Sequence, residues 1–225
     1  MIALDLFCGG GGAGEGLMRA GFEVVGIDKD DHSKSYPGDF IQGDIHHLPV
    51  NPMDFDLVWA SPPCQAFSSM HQLGDVYREP INLIPVTRDV LKSHPWTIIE
   101  NVPQSPIRRD IVLTGPMVGL YKIKRKRLFE LSFFMLQPPI QNKVPKWVYD
   151  NDEFLIITTN GEYKQDHYWK RAAQGLPVKY TKEQVMDAMG ITHDMTMYEM
   201  GESIPPAYAE YLGREAKRQM EGMYV

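Results

Sequence analysis

Cys64 and Glu100 are the residues of this 225-residue chain best placed to do covalent chemistry. Phe55-Asp56-Leu57-Val58-Trp59-Ala60 reads as a short buried strand. Ser61-Pro62-Pro63 ends it, because proline has no N–H to give a sheet ladder. Cys64 therefore falls at the carboxyl end of a strand, where open α/β sheets place their ligands. A thiol there is a candidate nucleophile. Taken alone, a free cysteine is more often a small buried residue. Trp96-Thr97-Ile98-Ile99 reads as the next strand and delivers Glu100, with Pro103 close behind. Sequential strands of such a sheet are expected to be neighbours. The thiol and the carboxylate would then face one pocket.

The elements that must hold these groups can be read along the chain. Ile2 to Phe7 is a first strand, and Cys8, Gly9, Gly10, Gly11 and Gly12 follow it. A helix comes next and stops at Gly21. Glycines let a ligand approach the backbone, and a helix N-terminus offers free N–H groups. Phe22 to Ile27 is a second strand ending at Asp28, an acid placed to bond ribose hydroxyls. Glycine loop and acid together point to a nucleoside-bearing cofactor, a dinucleotide or S-adenosylmethionine. Phe40 to Ile45 reads as a third, edge strand containing Asp44, which suits an adenine amino group or an ordinary turn equally. Residues 66–82 form a long polar loop, a candidate lid. A helix is expected from Leu83 to Ser93.

Val112-Leu113-Thr114-Gly115 and Leu128 to Phe133 are expected to finish the sheet, partly antiparallel. Lys122 to Arg127 holds five basic residues in six. It reads as a solvated edge strand or as an anion site. Strand alternation would send Arg125 and Arg127 to one face. Thr181 and Gly190 bracket a capped helix. Glu199 to Pro206 is expected to lead into a last helix running to Glu221.

Composition narrows the classes. A core-sized apolar fraction of 43% and a length of 225 residues fit one large domain with a small appendage. No apolar run suits a membrane, and the opening residues read as a core strand rather than a signal peptide. Two cysteines argue against a disulfide framework and for a reducing, cytoplasmic setting. A net charge of −6 counts against a uniformly basic coat but leaves room for a local basic groove.

Five stretches, taken in order, resemble the DNA cytosine-5 methyltransferases, in the compact form found in phages. They are Asp5-Leu6-Phe7-Cys8-Gly9-Gly10-Gly11-Gly12, Pro63-Cys64-Gln65-Ala66-Phe67-Ser68, Glu100-Asn101-Val102, Arg125-Lys126-Arg127-Leu128-Phe129 and Gly201-Glu202-Ser203-Ile204-Pro205-Pro206. The resemblance covers residues 1–135 and 181–213. It implies an α/β, Rossmann-like S-adenosylmethionine-dependent methyltransferase sheet, with residues 1–137 and 181–225 as the catalytic domain. It implies that Cys64 adds to C6 of a flipped-out cytosine, that Glu100 bonds N3 and the exocyclic amine, and that Arg127 holds O2. Arg125 would support the cysteine and the phosphates. For S-adenosylmethionine, and S-adenosylhomocysteine after transfer, it implies Phe7 at the adenine face and Cys8, Gly9 and Gly12 at the methionine end. Asp28 would take the ribose and Asp44 with Ile45 the adenine edge, with Pro63 and Ser203 completing the set. No metal is implied. Gln65 and Ser68 would lie near the DNA backbone. Two positions depart from the family pattern: Asp28 is one carbon shorter than the usual glutamate, and Glu202 stands where many members carry asparagine.

Residues 138–180 lie outside the resemblance and mix aromatics with cations, including Lys146, Trp147, Tyr149, Tyr163, Tyr168, Trp169, Lys170 and Arg171. That pattern suits nucleic-acid contact, and equally a small, poorly cored insert. Read as a target-recognition insert, with Lys146, Trp147, Lys170 and Arg171 as DNA contacts, it is short and predicts a short or relaxed site. The expected partner is double-stranded DNA, the expected state a monomer, and the expected setting the cytoplasm of a bacterial or phage-infected cell. An RNA substrate, a non-catalytic DNA-binding relative and, from the glycine loop and Asp28 alone, an NAD-linked oxidoreductase are the alternatives.

Overall fold

The structure, a computed structural model, describes residues 1–63, 82–151, 153–157, 172–175 and 177–222. Cys64, Gln65, Ser68, Lys170 and Arg171, and almost all of the 66–82 loop, lie outside the described residues.

Seven strands form one sheet in the order β3-β2-β1-β4-β5-β7-β6. They are β1 (Ile2–Leu6), β2 (Glu23–Asp28), β3 (Asp39–Gln42), β4 (Leu57–Ala60), β5 (Thr97–Asn101), β6 (Ile111–Leu113) and β7 (Arg127–Leu131). Strands β1 to β5 pair in parallel, and β7 runs antiparallel to both β5 and β6. The expected partly antiparallel end is thus present. So is the pairing of β4 with β5, which sets Ala60 beside Ile99. The order reverses between β1 and β4, and ligands of open α/β sheets bind at the carboxyl ends of strands flanking such a switch.

Alternation along the strands builds two apolar layers. Ala3, Leu57, Trp59 and Ile98 face helices α1 (Gly12–Arg19) and α6 (Pro206–Gly222), where Leu17, Tyr208 and Leu212 are fully buried. Leu4, Leu6, Val58 and Ile99 face α2 (Ile84–Leu91), meeting Ile84 and Leu91.

Helices α1 and α6 approach closely because glycine stands between them. A Cβ on Gly16 would lie 2.1 Å from the Pro206 carbonyl oxygen and 2.8 Å from the Ala209 side chain. Gly16→Ala is expected to cost about 1–3 kcal/mol through overpacking. Thermal melting of the variant against wild type measures it, and an unchanged melting temperature contradicts the close approach.

Three differences from the sequence reading have physical reasons. First, residues 122–126 are not strand, and the alternation expected of Arg125 and Arg127 does not apply. The Tyr208 hydroxyl donates to the Arg125 carbonyl (3.0 Å), and the Gly115 N–H donates to that of Lys124 (2.9 Å). Those carbonyls are therefore taken off the ladder, Arg125 turns to φ 31°, and β7 begins only at Arg127. Second, residues expected as a lead-in form a separate helix, α5 (Met197–Glu202), started by a capping box of Thr196 and Glu199. Third, the insert has helix α3 (Lys146–Asp150), and it shares a core. Leu155 and Tyr180 pack with Ile123 and with Val185 and Met189 of α4 (Lys182–Met189). The Thr181 N-cap and Gly190 stop of α4 are as expected, and Gln184 completes a capping box.

Candidate active site

A cavity of about 450 Å³ opens at the carboxyl ends of β1, β2, β4 and β5. One wall is the glycine loop. Phe7 leaves β1 at φ 58° and Gly9 follows at φ 49°. A left-handed phenylalanine is uncommon and costs energy, which the surroundings must offset. They do so by hydrogen bonds: the Cys8 N–H donates to the Ile27 carbonyl (3.2 Å) and the Gly9 N–H to Asp28 Oδ2 (3.0 Å). The end of β2 thereby holds the loop open toward the cavity.

Below the loop lies Asp5, fully buried. Burial pushes its carboxyl up to about 7, against the hydrogen bond from Tyr36 and with a further push from Asp28. The Tyr36 hydroxyl donates to Oδ2 at 3.1 Å, while Oδ1 has no hydrogen-bond partner of normal geometry among the described residues. Tyr36 fits because Gly14 and Gly26 stand where any Cβ would strike its ring or hydroxyl, at 2.4 Å in both cases.

The far wall carries the groups for chemistry. Glu100 and Arg127 line the same cavity as Ser61, Pro62 and Pro63. Register explains the meeting: Glu100 pairs with Phe129 across the antiparallel β5–β7 ladder, which brings Arg127 to the end of the strand beside it. Arg127 Nε donates to Glu100 Oε1 at 2.9 Å. Burial raises the Glu100 carboxyl, while Arg127, the Ser61 hydroxyl and Arg125 pull it back; the net direction is up. The protonated form is thereby brought closer to neutral pH. Trp59 Nε1 donates to Ser61 Oγ (2.9 Å), so a core residue orients the hydroxyl that meets Glu100. Asn101 Nδ2 donates to the Pro62 carbonyl at 2.9 Å, from a fully buried position. This bond ties the turn two residues before Cys64 to β5.

The family model for C-5 cytosine-specific DNA methylases matches residues 1–105. The type II methyltransferase M.HgiGI of Herpetosiphon aurantiacus is 30% identical over 122 residues, which are 48% of this chain and 96% of that protein. This chain belongs to the C-5 cytosine-specific DNA methylase family. Type II methyltransferase M.AgeI of Thalassovita gelatinovora is 32% identical over 91 residues, 33% of this chain. The chain spans only 21% of that relative's length. The S. pombe Dnmt2 methyltransferase superposes with a TM-score of 0.62 at 15% identity, over 98% of this chain and 99% of that one. That likeness bears on the fold, which is a Rossmann-like methyltransferase sheet.

With the methylase family in view, the expected site residues can be located. Phe7, Cys8, Gly9, Asp28, Asp44, Ile45, Pro63 and Ser203 all line the cavity. Asp44 Oδ1 accepts the His46 N–H (2.8 Å), the turn reading of that residue, and Asp44 still faces the cavity. Gly12 is placed otherwise. It starts α1, and a Cβ on it would lie 2.0 Å from Ser203 Oγ and 2.3 Å from the Ile204 carbonyl. Its small size serves the contact between glycine loop and final motif. Arg125 is also placed otherwise. Its Nε donates to the Ser203 carbonyl (2.9 Å) and Nη2 to that of Gly201 (2.6 Å). Burial, with Arg127 beside it, pulls the guanidinium down to about 9. Arg125 thus clamps the end of α5, where helix carbonyls are left over, and its guanidinium bonds carbonyls rather than facing solvent phosphates. Lys146 and Trp147 sit exposed on α3 and do not line the cavity.

Several site residues carried no sequence signal strong enough to single them out. Ser61, Tyr36 and His32 are ordinary polar residues until the fold brings them in. Glu199 joins them: its Oε1 accepts from His32 Nδ1 (2.9 Å) and Ser35 Oγ (2.5 Å), linking α5 to the segment after β2. Asn101 could have been found, since an amide beside a strand-end acid is a natural loop anchor. Among the described residues there is no cluster of His, Cys, Asp and Glu suited to a metal, and no helix is long and apolar enough to cross a membrane.

Proposed function

We propose that this chain methylates C5 of cytosine in DNA, with S-adenosylmethionine as donor and Cys64 as covalent nucleophile. The observation that carries the reading is that one cavity joins the glycine loop to the Glu100–Arg127 pair and to Pro63, the residue before Cys64. The donor fits the wall it would occupy. Phe7, Ile27 and Ile45 offer apolar faces for a base, and Asp28 and Asp44 offer acceptors for hydroxyls and an amine. Held there, S-adenosylmethionine supplies the methyl group that C5 takes up.

The chain's own residues do the rest. Cytosine C5 is a poor nucleophile until C6 is attacked. The Cys64 thiolate forms the S–C6 bond, and the ring electrons move toward N3 and C5. Glu100, with a carboxyl raised toward protonation, gives a hydrogen bond to N3 as charge gathers there. Arg127, already paired with Glu100, has its guanidinium available for O2. After transfer, the C5 proton leaves to a base, the S–C6 bond breaks, and the thiolate returns. The target must leave the helix to reach the cavity. Lys146 and Trp147, exposed on α3, are proposed as part of the surface that reads flanking sequence, together with Lys170 and Arg171.

Incubation with radiolabelled S-adenosylmethionine and separate DNA and RNA pools tests the substrate. Label is expected in DNA, and label in RNA alone favours the RNA alternative. DNA carrying 5-fluorocytosine tests the route. Fluorine cannot leave as the C5 proton does, so a denaturation-stable protein–DNA adduct is expected. No adduct where normal DNA is methylated contradicts a covalent Cys64 step.

A further inference from the structure

His193 lies in the turn between α4 and α5, and the proposed chemistry does not use it. Its Nδ1 is 2.6 Å from Glu15 Oε2, and its Nε2 is 2.7 Å from the Gly10 carbonyl oxygen. Both partners are acceptors without a hydrogen. A neutral imidazole has one N–H, so it would turn a lone pair on one of these oxygens. Only the doubly protonated ring satisfies both. Gly10 belongs to the glycine loop and lines the cavity. The turn and α5 also approach that loop closely: a Cβ on Gly10 would lie 2.5 Å from Met195 Cε and 2.9 Å from Glu199 Cβ.

We infer that His193 is a positioning residue, held as an imidazolium that clamps the glycine loop from behind and makes the affinity of the cofactor pocket depend on its charge. This rests on the reading that the pocket takes S-adenosylmethionine.

The charges around the ring are consistent with a cation. From α1, Glu15 faces Nδ1, and Arg19 pairs with the other oxygen of Glu15 while donating to the Gly190 carbonyl at 2.8 Å. Thr192 bonds Glu15 through its N–H (3.1 Å) and its hydroxyl. Burial pushes the Glu15 carboxyl up, but His193, Thr192 and Arg19 outweigh it and hold it near 2. Glu15 is therefore ionised at any working pH. From α5, Glu199 adds a second negative charge, itself bonded by His32, Ser35 and Thr196. Asp194, the next residue, is turned outward and paired with Lys182. Burial pulls the His193 ring down, while its bonds to Glu15 and Gly10 and the charges of Glu15 and Glu199 push it up, and the net direction is up. A group raised in this way is charged below its folded-state value, and the clamp is lost as pH rises through that value.

Binding of labelled S-adenosylhomocysteine by equilibrium dialysis, from about pH 6 to about pH 9, provides the test. Wild type is expected to weaken by about tenfold over that interval as one charge-assisted bond is lost. His193→Gln should bind weakly throughout and lack that slope. The ligand's own amino group titrates in both proteins and cancels in the comparison. Glu15→Gln should move the wild-type midpoint to lower pH. Independently of any variant's stability, nitrogen NMR of ¹⁵N-histidine-labelled wild type should show both His193 ring nitrogens protonated near neutral pH. A neutral ring there, or a His193→Gln variant that keeps the wild-type slope, overturns the inference. Failure of wild type to bind S-adenosylhomocysteine at any pH overturns the cofactor reading, whereas the ring's charge is decided by the nitrogen shifts alone.

Discussion

Cys64→Ser is expected to lower methyl transfer by about a thousandfold or more, equivalent to about 4 kcal/mol of transition-state stabilisation, with S-adenosylmethionine binding little changed. A serine hydroxyl at neutral pH is a far weaker nucleophile than a thiolate. Cys64 itself is outside the described residues, but its approach is not. The Pro62 carbonyl is pinned by buried Asn101, and Pro63 lines the cavity beside Glu100. The chain therefore leaves the described residues beside Glu100. Cys8 supplies the contrast. It is 7% exposed, and burial, with Asp5 and Asp28 nearby, pushes its thiol far above the ordinary range. Such a thiol stays protonated and inert. Cys8→Ala should therefore turn over at a rate within a few fold of wild type. Single-turnover assays on both variants decide the matter. An active Cys64→Ser, or a folded but inactive Cys8→Ala, reverses the assignment.

Glu100→Gln should lower turnover by about a hundredfold or more, as for the loss of a positioned acid. That corresponds to about 2.7 kcal/mol. The amide has nearly the same shape and can still donate a hydrogen bond. It cannot give up a proton, and its oxygen meets Arg127, 2.9 Å away, as a neutral acceptor rather than as an ion. Folding is expected to survive for an electrostatic reason. Burial raises the Glu100 carboxyl, so the ionised side chain costs stability above its unfolded value and that cost fades as pH falls. A neutral amide removes the cost, so the melting temperature should hold or rise near neutral pH. The pair of measurements separates chemistry from folding. Turnover near wild type sinks the acid role, and a large drop in melting temperature would mean that the lost turnover reports on structure instead.

These expectations rest on different kinds of information. Local rules read most of the sheet correctly, because its strands are short apolar runs punctuated by glycine and proline. The carboxyl-end position of Glu100 and the pairing of β4 with β5 were legible for the same reason. The basic run was not. Its carbonyls are bonded by Tyr208, more than eighty positions away, and by Gly115, and no local pattern announces such a bond. Helix α5 was missed although Thr196 and Glu199 spell a capping box, since six residues carry too little periodicity to register.

By itself the sequence determined the chemistry on offer: a thiol after paired prolines, an acid at a strand end, a glycine loop and an arginine motif, in an order that resembles one family. It also determined the order of strands along the chain, because hydrophobic period and turn residues act over a few positions. Only the tertiary structure decided which of those residues act together. It paired Glu100 with Arg127 through an antiparallel register, gave Arg125 to the carbonyls of α5, and gave Gly12 to helix packing. It also set His193 between Glu15 and Gly10, across 178 and 183 positions of sequence. Hydrogen bonds and ion pairs form wherever distance and burial permit, and those depend on how separate elements dock.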